Sequence, residues 1–94
     1  MADYERSTWL PVREVFDKAH EAFTTRIDLK RTRESHHAIT YGGPEGTVTL
    51  DAHRHGPYTV VTARTNQLRT SRIDNVVRHL LNQLPYQPDD PQRG

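Results

Sequence analysis

Histidine and aspartate side chains that could bind a metal ion lie together in the middle of the chain. His53 and His55 alternate with Arg54, so in a strand both imidazoles lie on one side, about 6.6–7 Å apart along the backbone. His36 and Asp51 can complete a ligand set if their strands are neighbours, because imidazole and carboxylate groups are common zinc ligands. The spacing makes His36, Asp51, His53 and His55 candidate metal ligands.

The same histidines fit two other kinds of surface. One is an ordinary solvated sheet face, and the other is a contact surface whose charge depends on pH, since histidine titrates near pH 6.5. Protonation of all six histidines changes the formal net charge from +1 to +7. We therefore expect any binding or assembly through this face to depend on pH.

The residues that catalysis requires are missing or lie at positions with an ordinary structural use. The absence of Cys excludes disulfides, thiolate nucleophiles and Cys-based metal centres. Ser7, Ser35 and Ser71 fall at predicted caps or turns, and the Ser35-His36-His37 run has no buried carboxylate to orient an imidazole. The glycine-rich run 42–46 leads into a strand, whereas a phosphate cradle needs a helix N-terminus. We expect no enzyme activity and no cofactor.

Two amphipathic helices must position these residues. Apolar residues at steps of three and four predict a helix over 8–24, with Ser7 or Thr8 as the N-cap, and a second helix over 71–84. Ser71 and Asp74 resemble a capping box at the start of the second helix.

Between the helices the apolar residues alternate, which predicts four strands over 26–33, 36–42, 46–54 and 58–65. Because the connections are short and rich in Gly and Pro, neighbouring strands should pair antiparallel. The expected fold is α+β, a single domain over residues 1–86 in the order α-β-β-β-β-α, with a four-stranded meander and both helices on one face. Residues 87–94 are polar and Pro-rich and predict a flexible tail.

The alternation also predicts what the open sheet face carries. If Ile39 lies opposite Leu50, Ala38 lies near Asp51 and His36 near His53. The residues expected on this face are Asp28, Lys30, Thr32, Glu34, His36, Ala38, Thr40, Thr49, Asp51, His53 and His55. Because small side chains allow close approach of a partner, the predicted partner-binding residues are Ala38, Thr40, Thr49, Asp51 and His53.

Positive charge is concentrated in residues 26–78, which hold nine basic and five acidic residues. Arginine predominates, and it is the residue suited to bidentate phosphate contacts. Arg64, Arg69 and Arg72 bracket the start of the second helix, where the helix dipole also attracts phosphate. These three residues are the candidates for nucleic-acid binding.

The α-β-α order with basic residues at the second helix resembles the double-stranded-RNA-binding domain over roughly residues 8–84. That family has three strands, a Pro-x-His element in its first hairpin and a Lys-Lys-x-Ala-Lys run at the start of its last helix. Here the helix begins Ser71-Arg72-Ile73-Asp74. The family's binding residues therefore have no counterparts in this chain.

These observations predict a small non-catalytic binding or assembly module that acts through its sheet face, as a homo-oligomer or as a subunit of a larger complex. The alternatives are a nucleic-acid-binding domain and a His-rich metal-binding module. Apolar runs are far shorter than the ~20 residues of a membrane span, and the first residues do not resemble a signal sequence. We therefore expect a cytoplasmic protein without membrane contact.

Overall fold

The computed structural model describes residues 2–67 and 71–85 of the chain. Within these residues, five antiparallel strands form one sheet in the order β1-β5-β4-β3-β2, and two helices are present. The elements are β1 (Ala2–Thr8), α1 (Val12–Thr25), β2 (Lys30–Glu34), β3 (Ala38–Gly43), β4 (Gly46–His55), β5 (Tyr58–Thr65) and α2 (Arg72–Gln83). The α+β class is confirmed, but the predicted four strands are wrong. The predicted tail, 87–94, lies outside the described residues.

The additional strand is β1, which pairs with β5 from Ala2↔Thr65 to Thr8↔Thr59. Tyr4, Arg6 and Thr8 lie on the helix side of the sheet, and the residues between them lie on the other side. Two of these three inward side chains, Arg6 and Thr8, are polar. The strand β1 therefore lacks the apolar alternation by which the other strands are predicted.

Helix α1 begins at Val12 because Thr8 belongs to β1. The Thr8 hydroxyl accepts a hydrogen bond from the Leu10 backbone N–H at 3.3 Å, and Pro11, with φ −63° and ψ 155°, is the N-cap. The predicted start at residue 8 is therefore wrong, as are Ser7 and Thr8 as caps. Proline suits this position because it has no backbone N–H that would be left without a partner.

Strand β2 begins at Lys30, four residues later than predicted, and it contains a β-bulge. The pairing shifts between Arg31, which lies opposite Tyr41, and Arg33, which lies opposite Thr40. Because one extra residue reverses the alternation, Glu34 lies opposite Ile39 on the helix side. The prediction that Glu34 lies on the open face is wrong for this reason.

The central register agrees with the sequence prediction. Ile39 lies opposite Leu50 and Ala38 opposite Asp51. The hairpin that links β3 to β4 has Pro44 and Glu45 as its loop, since Gly43 pairs with Gly46. A loop of that length fixes the register of the strands that it joins.

Both helices pack on one face of the sheet, as predicted, and the core lies between them and the strands. Ser71 is the N-cap of α2, and its hydroxyl accepts a hydrogen bond from the Asp74 backbone N–H at 3.1 Å. The fully buried core side chains include Val15, Phe23, Tyr41, Val48, Leu50, Val61, Ile73, Val77 and Leu80. The opposite face of the sheet carries no helix from the described residues.

Candidate functional site: the open sheet face and an edge groove

The open face carries a polar centre on its two middle strands. The hydroxyls of Thr40 and Thr49 form a hydrogen bond of 3.0 Å across β3 and β4. On β4, His53 Nδ1 lies 3.3 Å from Asp51 Oδ1, and both side chains are 47% exposed. The register places these four residues and Ala38 on the same face. This face therefore holds the full set of predicted partner-binding residues.

The two edges of the open face carry opposite charges. Along β1, Asp3 and Glu5 lie on this face, since Tyr4 between them lies on the helix side. Along β2, Lys30 lies opposite Gly42, and Arg33 lies opposite Thr40. All four charged residues are exposed. The face is therefore acidic at one edge and basic at the other.

A shallow depression of about 330 Å³ lies between these edges, lined by Thr49, Asp51, Thr62 and Arg64. Three of its four lining side chains, Thr49, Asp51 and Thr62, are short and polar, and all four come from β4 and β5, the two strands with the longest pairing. The small side chains leave room for another surface to approach the backbone of the central strands.

The predicted metal ligands are not brought together. His36 lines a groove beside α1, and His55 is the exposed last residue of β4. Only His53 and Asp51 lie in contact. Among residues 2–67 and 71–85, no three His, Cys, Asp or Glu side chains form a group that could hold a metal ion.

The candidate nucleic-acid residues are also divided. Arg64 lies on the open face, whereas Arg72 begins α2 and forms an ion pair of 3.1 Å with Glu45. Arg69 lies outside the described residues. The ion pair reduces the positive charge at the start of α2, where a phosphate contact was predicted.

A larger groove lies on the helix side, at the β2 edge of the sheet. It has a volume of about 740 Å³ and runs between α1 and the β2–β3 hairpin. The helix contributes Val12, Phe16 and His20, which follow one another at steps of four residues along one helix face. The β2 strand opposite contributes Arg31 and Glu34, whose side chains are 40% and 56% exposed.

A hydrogen-bonded polar cluster lies at one end of this groove. His20 Nδ1 lies 3.0 Å from the buried Tyr41 hydroxyl and 3.4 Å from Arg31 Nη2, and Arg31 Nη1 lies 2.8 Å from Glu34 Oε1. The hydrogen bond with Glu34 raises the pKa of the Arg31 guanidinium. Burial raises the pKa of the Tyr41 hydroxyl, and the nearby Arg31 charge partly opposes this effect.

Sequence reasoning missed this groove and its cluster. The four-residue spacing of Val12, Phe16 and His20 was a usable signal, because it predicts one shared helix face. The partners Arg31 and Glu34 gave no such signal, since their common orientation results from the bulge in β2.

No protein-family model, no curated protein and no solved structure matches this chain. The first strand and the five-stranded order also differ from the three-stranded arrangement of the double-stranded-RNA-binding domain. In the parts of the chain that the structure covers, no helix combines the length and the hydropathy that a transmembrane segment requires.

Proposed function

We propose that this protein is a non-catalytic assembly module that forms a homodimer through its open sheet face. The observation that supports the proposal is the opposite charge of the two edges: Asp3 and Glu5 along β1, and Lys30 and Arg33 along β2. Nucleic-acid binding and metal binding stay predictions from the sequence.

The charge distribution selects one symmetry for such a dimer. A two-fold axis parallel to the central strand, β4, lays the β1 edge of one copy over the β2 edge of the other. Acidic residues then meet basic residues twice, once at each edge. An axis that lies across the strands lays β1 over β1 and brings like charges together, which is unfavourable.

The centre of the face suits a polar interface of modest strength. Strands spaced about 4.8 Å apart and about 20 Å long give a face of roughly 400–500 Å² per copy. Thr49, Asp51 and His53 of β4 lie closest to the proposed axis. Because this area is small and polar, we expect a dissociation constant in the micromolar range or weaker.

Sedimentation analysis from 10 µM to 1 mM protein tests the proposal. We expect concentration-dependent dimers at low salt and weaker association at 0.5 M NaCl, since exposed ion pairs are screened. A chain that stays monomeric at 1 mM and low salt contradicts the proposed function.

Charge reversal at the edges tests the orientation. A Lys30→Glu/Arg33→Glu chain has two acidic edges, and an Asp3→Lys/Glu5→Lys chain has two basic edges. Each should be monomeric alone, and an equimolar mixture should form heterodimers. The matched control is Lys18→Glu/Arg26→Glu, which makes the same charge change in α1 and at its C-cap and should leave dimerisation unchanged. Self-association of either reversed chain at the level of the unmodified protein contradicts the proposed arrangement.

A further inference from the structure

The groove beside α1 has the dimensions and the composition of a small-molecule site. Its volume of about 740 Å³ falls within the ~300–1,000 Å³ that such sites commonly have. It lies on the helix side of the sheet, so a ligand there does not occupy the open face. Ligand binding in this groove is therefore independent of the proposed dimer.

One half of the groove is apolar. Val12 and Phe16 are partly buried side chains packed against the core, and Ile39, which is 4% exposed, belongs to the core itself. A hydrocarbon or aromatic group that covers them gains the free energy of removing apolar surface from water. This half can therefore hold the apolar part of a ligand.

The other half presents hydrogen-bond donors. A guanidinium nitrogen has no lone pair to accept a hydrogen bond, so His20 Nδ1, at 3.4 Å from Arg31 Nη2, is the acceptor. The Tyr41 hydroxyl, at 3.0 Å, then donates to the same nitrogen. This arrangement corresponds to the tautomer that carries the proton on Nε2. His20 thus contributes an N–H donor at the wall of the groove.

The Arg31 guanidinium is the second donor. It has five N–H bonds, of which one is directed to Glu34 Oε1 at 2.8 Å and one to His20. Its side chain is 40% exposed, and its raised pKa keeps it charged. The groove therefore offers a guanidinium cation beside an imidazole N–H donor, and a carboxylate is the group that guanidinium geometry matches best.

The charges around the groove disfavour a ligand with several negative charges. Arg13 and Arg31 are balanced by Asp17 and Glu34 along the lining. A ligand with several negative charges would meet the two carboxylates without a compensating excess of cations. We propose that this groove binds small amphipathic monocarboxylates, with the carboxylate at Arg31 and His20 and the apolar part against Phe16, Val12 and Ile39.

Titration of ¹⁵N-labelled protein with octanoate, octan-1-ol and octylammonium tests this proposal. Octanoate should shift the amide signals of residues 12–20 and 31–39 in a saturable way. It should bind at least tenfold more tightly than octanol, because a charge-assisted hydrogen bond is worth about that factor or more. Octylammonium should bind no better than octanol. The absence of saturable shifts up to 10 mM octanoate, or equal binding of octanoate and octanol, overturns the proposal.

Two substitutions of arginine provide the matched comparison. Arg31→Gln should weaken octanoate about tenfold and leave octanol unchanged, since it removes only the cation. Arg26→Gln makes the same change at an exposed residue that lies outside both the groove and the proposed dimer face, and it should leave both affinities unchanged. Because the Arg31 side chain is 40% exposed, we expect Arg31→Gln to leave the protein folded. Equal affinity of the unmodified protein and Arg31→Gln for octanoate also overturns the proposal.

Discussion

The Tyr4 hydroxyl donates a hydrogen bond of 2.7 Å to Asp74 Oδ1 and so joins the first strand to the last helix. Asp74 is completely buried, and Arg78 Nε lies 2.9 Å from its other carboxylate oxygen. Arg6 makes a parallel connection, since its Nη2 donates to the Leu84 carbonyl at 3.3 Å. A buried carboxylate is unfavourable unless it has polar or charged partners. Tyr4 and Arg78 each lie at one of the two oxygens, and so they compensate for the burial of Asp74 in the helix-side core.

Tyr4→Phe should therefore destabilise the protein by about 1–3 kcal/mol, the cost of a buried acceptor that loses its donor. Urea unfolding of Tyr4→Phe, Asp74→Asn and the double variant gives the coupling between the two residues, which we expect to be about 1 kcal/mol. Asn82→Ala, on the exposed side of α2, is the control and should change stability by less than ~0.5 kcal/mol. A Tyr4→Phe variant as stable as the unmodified protein would show that the hydrogen bond from Tyr4 to Asp74 does not stabilise the packing of β1 against α2.

The same contact explains why β1 was not predicted from the sequence. The stability of Ala2–Thr8 as a strand depends on Asp74 and on the free edge of β5, both of which are distant in sequence. The side chains that β1 directs toward the helices include Arg6 and Thr8, so its own pattern resembles a polar segment. Strands whose inward residues are apolar, such as β3 and β4, are predictable because their burial is visible in the pattern itself.

The pairing register of the strands was likewise predictable only where the local sequence determines it. The pairing of Ile39 with Leu50 was predictable because the short loop at Pro44 and Glu45 limits the alternatives. The bulge between Arg31 and Arg33 was not, since nothing in that run distinguishes a bulge from regular alternation. That single shift places Glu34 beside Arg31, and it therefore determines the polar end of the groove.

The corner between β1 and α1 should depend on Thr59. Its buried hydroxyl donates to the Leu10 carbonyl at 2.6 Å, next to the position where Thr8 caps the Leu10 N–H. Thr59→Val removes this donor within the core and should cost about 1–2 kcal/mol in urea unfolding. Thr62→Val makes the same change on the open face of β5 and, at protein concentrations below association, should be nearly neutral. Equal losses of stability for Thr59→Val and Thr62→Val would show that the hydrogen bond from Thr59 to Leu10 does not stabilise the corner between β1 and α1.

Gly46 and Gly56, the two hairpin glycines with a positive φ, should differ in how far substitution by Ala destabilises the protein. Gly46 has φ +132°, and an added Cβ lies 2.6 Å from Asn66 Oδ1, which accepts the Thr47 backbone N–H. Gly56 has φ +66°, with nothing within 4 Å of an added Cβ. Ala is disfavoured at both φ values, by about 1 kcal/mol at +66° and by more at +132°, which lies outside the left-handed region. Gly46→Ala should lose a further ~1 kcal/mol because Asn66 must move. Thermal and urea unfolding of both variants measure the difference, and a larger loss for Gly56→Ala would contradict it.

Alkaline pH should destabilise the protein through Tyr41. Its pKa is raised above its ordinary value of 10.0, first by burial, because the charged phenolate is poorly solvated in the core. The folded protein therefore holds this proton more tightly than the unfolded chain. The resulting stabilisation is complete below pH ~10 and is lost as the pH rises through the folded-state pKa.

Unfolding free energies between pH 8 and 11.5 should fall more steeply for the unmodified protein than for Tyr41→Phe. At pH 8 that variant should be about 1 kcal/mol less stable, since it lacks the hydrogen bond to His20. Parallel pH profiles for the two proteins would show that the Tyr41 hydroxyl ionises no later in the folded protein than in the unfolded chain.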